Sequence, residues 1–200
     1  LVLCSGFKTE LKKKEKSKAP AGDFSVVGTG ALLLPFIFTV IAIIIQGSLR
    51  DGVTTWMPSY ISETFSLGSD ISILSGVIMP VFAFLCIWAT EYLYYKIKSV
   101  QKCCFMYFSV SFIAALLIPV AVKSGAVLSV FLASLIVGSM HGINILQTCM
   151  LPRSIGNTEQ LGFISGIFNG CVYIGSALST YGFARISEIF GWNGTILVWC

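Results

Sequence analysis

The sequence predicts an all-α membrane protein, a helical bundle, and three observations carry that prediction. Hydrophobic residues make up 56% of the 200 residues and charged residues 11%, with a mean hydropathy of +0.86, far too apolar for a water-soluble domain of this length. The apolar residues collect in stretches long enough to cross a ~30 Å hydrocarbon core as helices. Those stretches lack the alternation of barrel strands, and a backbone in lipid must satisfy its own hydrogen bonds, which leaves helices.

The elements follow in order. Residues 1–30 pass from a lysine-rich run, Lys8, Lys12, Lys13, Lys14, Lys16 and Lys18, into Ala19-Pro20-Ala21-Gly22, a composition that suits a connector entering the first span. Spans are expected at about Ala31–Tyr60, Ile71–Tyr95, Cys103–Val122, Ala126–Leu151 and Gly162–Ile189, with a sixth starting near Thr195. Between them stand turn residues: Ser66-Leu67-Gly68-Ser69-Asp70, Lys123-Ser124-Gly125, Gly156-Asn157-Thr158 and Gly191-Trp192-Asn193-Gly194. Connections this short predict antiparallel neighbours. The opening scrap Leu1-Val2-Leu3-Cys4 and the closing Trp199-Cys200 read as the end of one span and the start of another, so the chain is expected to be a piece of a longer protein.

Charge sets the expected orientation. Lysines precede the first span, Lys96, Lys98 and Lys102 follow the second, and Arg153 follows the fourth, whereas the alternate loops hold Glu63 with Asp70, then Lys123, then Glu188. The positive-inside rule therefore places the N-terminal segment in the cytoplasm of a multi-pass protein of the plasma (cell) membrane. The net charge of +4 is accounted for by this topology, with the lysine run free to touch anionic headgroups, and no nucleic acid partner is expected. Seven scattered cysteines show neither CxxC nor Cys/His ligand spacing, so neither a metal site nor a disulfide framework is expected. No serine-histidine-acid set, paired carboxylates or phosphate loop is present, which disfavours an enzyme, and no cofactor is expected.

The chemistry concentrates on a few helix faces. Arg50 and Asp51 stand inside the first apolar run. A charge near the bilayer centre costs about 2.5–3.5 kcal/mol on insertion scales, so membrane helices keep one where it meets a partner, a cavity or a substrate. The alternative is that these residues lie at the outer membrane face and touch water. At 100° per residue Gln46, Gly47, Arg50 and Thr54 share about a quarter turn, with Asp51 beside them. On the fourth span Ser134, His141, Asn144 and Thr148 share a face, and His141 is the only histidine. On the fifth, Ser165, Asn169, Tyr173, Ser176 and Thr180 form an arc, of which Asn169 and Tyr173 are the site candidates. Gly162, Gly166 and Gly170 form a second face, the small-residue pattern of close helix approach. The second and third spans are mainly apolar and aromatic, with Phe82, Phe84, Phe105, Phe108 and Phe112, and the third is expected to be a scaffold helix. Polar linings on the first, fourth and fifth spans describe one wall of a path through a membrane.

Leu49-Arg50-Asp51-Gly52-Val53-Thr54-Thr55-Trp56-Met57-Pro58-Ser59-Tyr60 resembles the seventh helix of major facilitator superfamily transporters, closest to the organophosphate:phosphate antiporter, sugar-phosphate permease-like branch. There an arginine, a glycine two residues on, and Trp-x-Pro-x-Tyr follow in this order. Tyr181-Gly182 through Gly191-Trp192-Asn193-Gly194 is similar to the eleventh helix and the loop into the twelfth. The resemblance implies the C-terminal half of a twelve-helix fold. Residues 28–200 would be the C-terminal transmembrane bundle of five full spans and the start of a sixth. Residues 1–27 would be the central cytoplasmic loop with the end of a preceding helix, and the N-terminal six-helix half would be the missing partner. It also implies that Arg50 contributes to a phosphate site, a role suited to the paired donors of guanidinium.

Two departures shape the expectation. Asp51 stands where that family usually has an aromatic residue and Thr55 where it usually has an acid. An acid beside the arginine repels phosphate or neutralises the arginine, and it introduces a proton-coupled alternative with Asp51 as the titrating group. After the second span, Ala89-Thr90-Glu91-Tyr92-Leu93-Tyr94-Tyr95-Lys96 echoes the superfamily's cytoplasmic Gly-x-x-x-Asp-Arg motif, with Ile87 at the glycine position and Glu91 at the acidic place, expected to brace a gate.

The expected function is secondary active transport of a small organic anion, sugar phosphates among the candidates, with a proton or phosphate as counter-substrate. Arg50 would hold the anion, Asp51 tune it or take a proton, and Gln46, Thr54, His141, Asn144, Asn169 and Tyr173 complete the lining. The rival reading is a non-transporting membrane sensor of the same fold.

Overall fold

The computed structural model describes residues 30–66, 69–155 and 161–199. The connector expected over residues 1–27 and the turns at Leu67-Gly68 and Gly156-Asn157-Thr158 lie outside the described residues.

All described secondary structure is helical. α1 spans Gly30–Phe65, α2 Ser69–Ile97, α3 Val100–Ala121 and α4 Ala126–Ile145. α4 continues through a π turn, Leu146–Met150, into a short α-helical end at Leu151–Ile155, and α5 spans Leu161–Trp199. Five of these helices are long and apolar enough to cross a membrane. α1 runs past the expected end at Tyr60 because its last turn has partners: Tyr60 and Ile61 are buried, and Glu63 Oε2 accepts a 2.8 Å bond from Trp192 Nε1. The sixth segment starts earlier than expected. Only Gly191 leaves helical geometry, at φ 65°, a conformation that favours glycine, and the chain is helical again through Trp199.

The turns have local causes. Lys98, at φ 53°, reverses the chain after α2, and the Ser99 hydroxyl then accepts from the Lys102 amide to cap α3. α3 ends in a 3₁₀ turn, Val122–Ser124, and Gly125 at φ 112° redirects the chain into α4.

α4 is the centre of the bundle. Within an 18-residue apolar stretch of its span 67% of residues are buried, against 17–28% in such stretches of the other four. Its small residues admit neighbours: a Cβ on Gly138 would lie 2.7 Å from Cys86 Sγ, and one on Gly142 would lie 3.2 Å from the Tyr107 ring. At that crossing Thr90 Oγ1 meets Tyr107 Oη at 2.8 Å, a polar junction inside helices read from sequence as apolar. Such interhelical bonds average about 0.6 kcal/mol in membranes.

α3 behaves as the expected scaffold. It buries Ala114, Ala115, Ile118 and Ala121 inward and leaves Phe105 and Phe112 exposed. The rule of sequence neighbours fails for α5, which packs chiefly on α1 rather than on α4. Its cause is the glycine pair described next, and the expected close-approach face is corrected with it. Among the described residues nothing lies within 4 Å of a Cβ added at Gly162, Gly166 or Gly170. At the C-terminal end of α1, Tyr60 makes edge contacts with Phe65, Trp192 and Trp199, at centroid separations of 6.4, 5.6 and 6.4 Å, and clamps the segment after Gly191 over α1.

Candidate functional site

Two contacts wedge α1 between α4 and α5. On one side Gln46 Nε2 donates to the Met140 carbonyl at 2.8 Å, pinning α1 to α4. On the other, Gly47 faces the Val172 carbonyl and Gly175 faces the Ile44 carbonyl so closely that neither position has room for a Cβ. Ser48 Oγ closes that seam by donating to the Gly175 carbonyl at 2.8 Å. Close backbone approach through small residues, sealed by a hydroxyl, is how helices associate where lipid supplies no hydrophobic drive.

One turn further along α1 stand the two charges. Residues four apart share a helix face, so Arg50 follows Gln46 toward α4 and Asp51 follows Gly47 toward α5. Their position is near the middle of the Leu34–Phe65 span. The side chains are 12% and 28% exposed, so the pair is neither sealed in the core nor open to solvent. Arg50 Nε donates to Asp51 Oδ1 at 2.6 Å and Arg50 Nη2 donates to Oδ2 at 2.7 Å. Adjacent helical residues diverge by about 100° and do not normally face one another, so the guanidinium has turned aside to fill its fork with this carboxylate. Thr54 Oγ1 donates back to the Arg50 carbonyl at 2.6 Å. One turn on, Pro58 has no amide to offer the Thr54 carbonyl.

α4 and α5 each add a polar group to the cluster. His141 lies within electrostatic reach of both charges, and Ser176 faces the Asp51 carboxylate. His141 Nδ1 sits 2.9 Å from the Val137 carbonyl. A carbonyl only accepts, so Nδ1 carries hydrogen. Asn144, half-buried one turn along the same helix, has a buried Oδ1 without a partner among the described residues. Its backbone carbonyl accepts from Thr148 Oγ1 at 2.7 Å. The arrangement offers a planar cation, a carboxylate, an imidazole and an amide on facing helices, which suits recognition of an anion.

The structure thus brings together Gln46, Arg50, Asp51, Thr54 and His141, with Asn144 one turn away. Gln46 and Thr54 serve the helix seam and the backbone. Ser134 is fully buried and donates to the Val130 carbonyl, away from the cluster. Asn169 and Tyr173 lie exposed on α5, Tyr173 at 62%, and make no hydrogen bond among the described residues. Glu91 is exposed and makes no ion pair among the described residues, so the brace expected of it is not formed within them. The sequence reading left out Ser48 and Gly175, and it placed Ser176 on the polar arc of α5 without making it a site candidate. Their signal was available, since Gly175-Ser176 and Gly47-Ser48 repeat one small dipeptide on both sides of the seam.

Residues 1–180 match a family model described as Major Facilitator Superfamily. No curated protein and no solved structure matches the chain.

Proposed function

We infer, because the chain belongs to the major facilitator superfamily, that it moves a small organic anion across the cell membrane by alternating access, with Arg50 as the anion-holding group. The chain is a multi-pass membrane protein of a transporter family; the anion is the further step. The observation that carries it is a guanidinium near the middle of the Leu34–Phe65 span, part-exposed, with its fork presented to a carboxylate. An arginine kept there at a cost of about 2.5–3.5 kcal/mol is a substrate or ion site by default, and guanidinium is built for carboxylates and phosphates.

In this reading Asp51 holds the empty site neutral, His141 and Asn144 supply neutral hydrogen bonds from α4, and Asn169 and Tyr173 line the open side of α5. A second six-helix half of the same transporter closes the cavity over them. The lysines at the α2–α3 turn, Lys96, Lys98 and Lys102, support a cytoplasmic N-terminal side. The resemblance to sugar-phosphate carriers makes phosphate esters one anion class to test, and the filled fork makes singly charged carboxylates the other.

The experiment is uptake by proteoliposomes of the full-length protein, offered radiolabelled phosphate esters, carboxylates and neutral sugars. Anions are expected to accumulate and neutral sugars to stay outside. Arg50→Lys keeps the charge but loses the fork, and it should cut uptake tenfold or more, since a hydrogen bond to a charged group is worth about 1.5–3 kcal/mol. Accumulation inside vesicles also separates a transporter from a sensor that only binds. Wild-type uptake by the lysine variant removes Arg50 from the site.

A further inference from the structure

We propose that Asp51 is the resident counter-ion of Arg50 and that a transported anion displaces it only as Asp51 takes up a proton, so that the site carries a singly charged anion together with one proton. This rests on the anion-transport reading above and adds the charge of the cargo and its coupling.

The geometry supplies the first step. Both donors that make guanidinium a carboxylate receptor, Nε and one Nη, already bond the two oxygens of Asp51 at 2.6 and 2.7 Å. A substrate carboxylate would need the same two hydrogens, so it competes with Asp51 for one place. Because Asp51 is the adjacent residue, the guanidinium has swung out of its natural direction to reach it. Release lets Arg50 return toward α4, where its neighbours are His141 and, one turn along, Asn144.

Charge balance supplies the second step. On α1 the pair sums to zero. The titratable group facing it from α4 is His141, whose Nδ1–H donates to the Val137 carbonyl and which enters the balance as a neutral ring, and α5 presents the uncharged Ser176. An anion entering beside the intact pair makes the cluster negative within the membrane. An anion that displaces an ionised Asp51 strands a part-buried carboxylate, the costly outcome when one partner of an ion pair is removed. A proton on Asp51 removes that cost, because the acid is then neutral and Ser176 stands beside it as a hydrogen-bond partner. The only covalent bond formed is the O–H of Asp51, its proton drawn from the aqueous side that is open, and the same bond breaks on release. With one negative charge on the cargo the site returns to zero. A phosphate monoester near neutral pH carries about 1.5–2 negative charges, which leaves the site negative.

The test uses proteoliposomes of the full-length protein with lactate and benzoate as singly charged probes and glycerol 3-phosphate as the more highly charged one. An inward proton gradient should accumulate lactate or benzoate with one proton each, and an imposed potassium diffusion potential should leave the rate unchanged. Glycerol 3-phosphate should move more slowly and slow further as pH rises. Asp51→Asn should abolish gradient-driven accumulation while lactate exchange stays measurable at altered affinity. The electroneutrality of the wild-type protein decides the matter even where that variant fails to fold. Potential-driven movement of the probes, glycerol 3-phosphate moving without a proton, neither monoanion moving, or an asparagine variant that still couples overturns the proposal. In the first, second and fourth of these outcomes an anion still crosses, so the transport reading survives.

Discussion

α4 and α5 read alike as strings, each an apolar rod with a polar arc, yet they take opposite positions in the bundle. α4 is the core helix and α5 a flank that leans on α1. Polarity does not separate them, because hydroxyl groups on both turn back on their own backbone. Ser134 and Thr148 of α4 donate to the Val130 and Asn144 carbonyls, and Ser179 and Thr180 of α5 donate to the Ser176 carbonyl. A polar residue satisfied within its own helix can be buried or exposed at little difference in energy. What separates the two helices is the direction of their small residues. Gly138 and Gly142 open α4 toward Cys86, Thr90 and Tyr107, while Gln46 bonds its backbone from α1. α5 meets α1 closely through Gly175 and Val172, while its Gly162, Gly166, Gly170 and Gly182 face open space among the described residues.

The largest effect should come from the charges held between the two helices. Arg50→Ala leaves Asp51 unpaired at a part-buried site, and removing one partner of a buried ion pair costs about 3–5 kcal/mol, with the lower end expected here because the pair keeps some exposure. Thermal unfolding in detergent should show the loss, and uptake should vanish. The double variant Arg50→Ala with Asp51→Ala should recover most of the stability and none of the uptake. Recovery of uptake would mean that the pair only holds α1 in place.

Next comes the seam itself. Gly175→Leu drives a side chain into the Ile44 carbonyl, an overpacking of about 1–3 kcal/mol. Gly166→Leu meets nothing among the described residues and should leave unfolding within about 0.5 kcal/mol of the parent. Equal losses from the two would undo the contrast between the faces of α5.

Those two glycines also show what was legible in the sequence. Helix count, helix type and an arginine near the middle of the first span follow from composition and run length, because the bilayer fixes both the length of a span and the cost of a charge. The packing face was misread for an equally physical reason. Regular four-residue spacing at Gly162, Gly166 and Gly170 marks a face that could pack closely, but approach needs a partner with a matching gap, and α1 offers one at Gly47. Pairing between faces is a property of two helices and cannot be read from one. The fork between Arg50 and Asp51 was hidden similarly. Helical periodicity places adjacent residues apart, and only side-chain rotation joins them. For Gln46, periodicity put the residue on the right face, but its bond to the Met140 carbonyl came from the packing.

A smaller effect tests the α1–α4 side of the wedge. Gln46→Leu keeps the side chain's bulk and removes the bond to Met140, and interhelical hydrogen bonds in membranes average about 0.6 kcal/mol with a ceiling of about 1.7. The loss should stay below that of Gly175→Leu, as measured by unfolding in the same detergent. A greater loss would make this bond, rather than the glycine seam, the main anchor of α1.

The smallest change in stability, and the sharpest test of the comparison, lies on the open arc of α5. Tyr173 is 62% exposed and bonds to nothing among the described residues, so Tyr173→Phe should leave unfolding within about 0.5 kcal/mol. A residue facing lipid would leave uptake equally untouched. A residue lining the cargo's path instead offers a hydroxyl to an anion, and its removal should raise the half-saturation concentration several-fold with little change in maximal rate. That split assigns the exposed arc of α5 to the passage, together with the His141 and Asn144 face of α4. Unchanged uptake from both Tyr173→Phe and Asn169→Ala would place the arc against lipid and confine the site to α1 and α4.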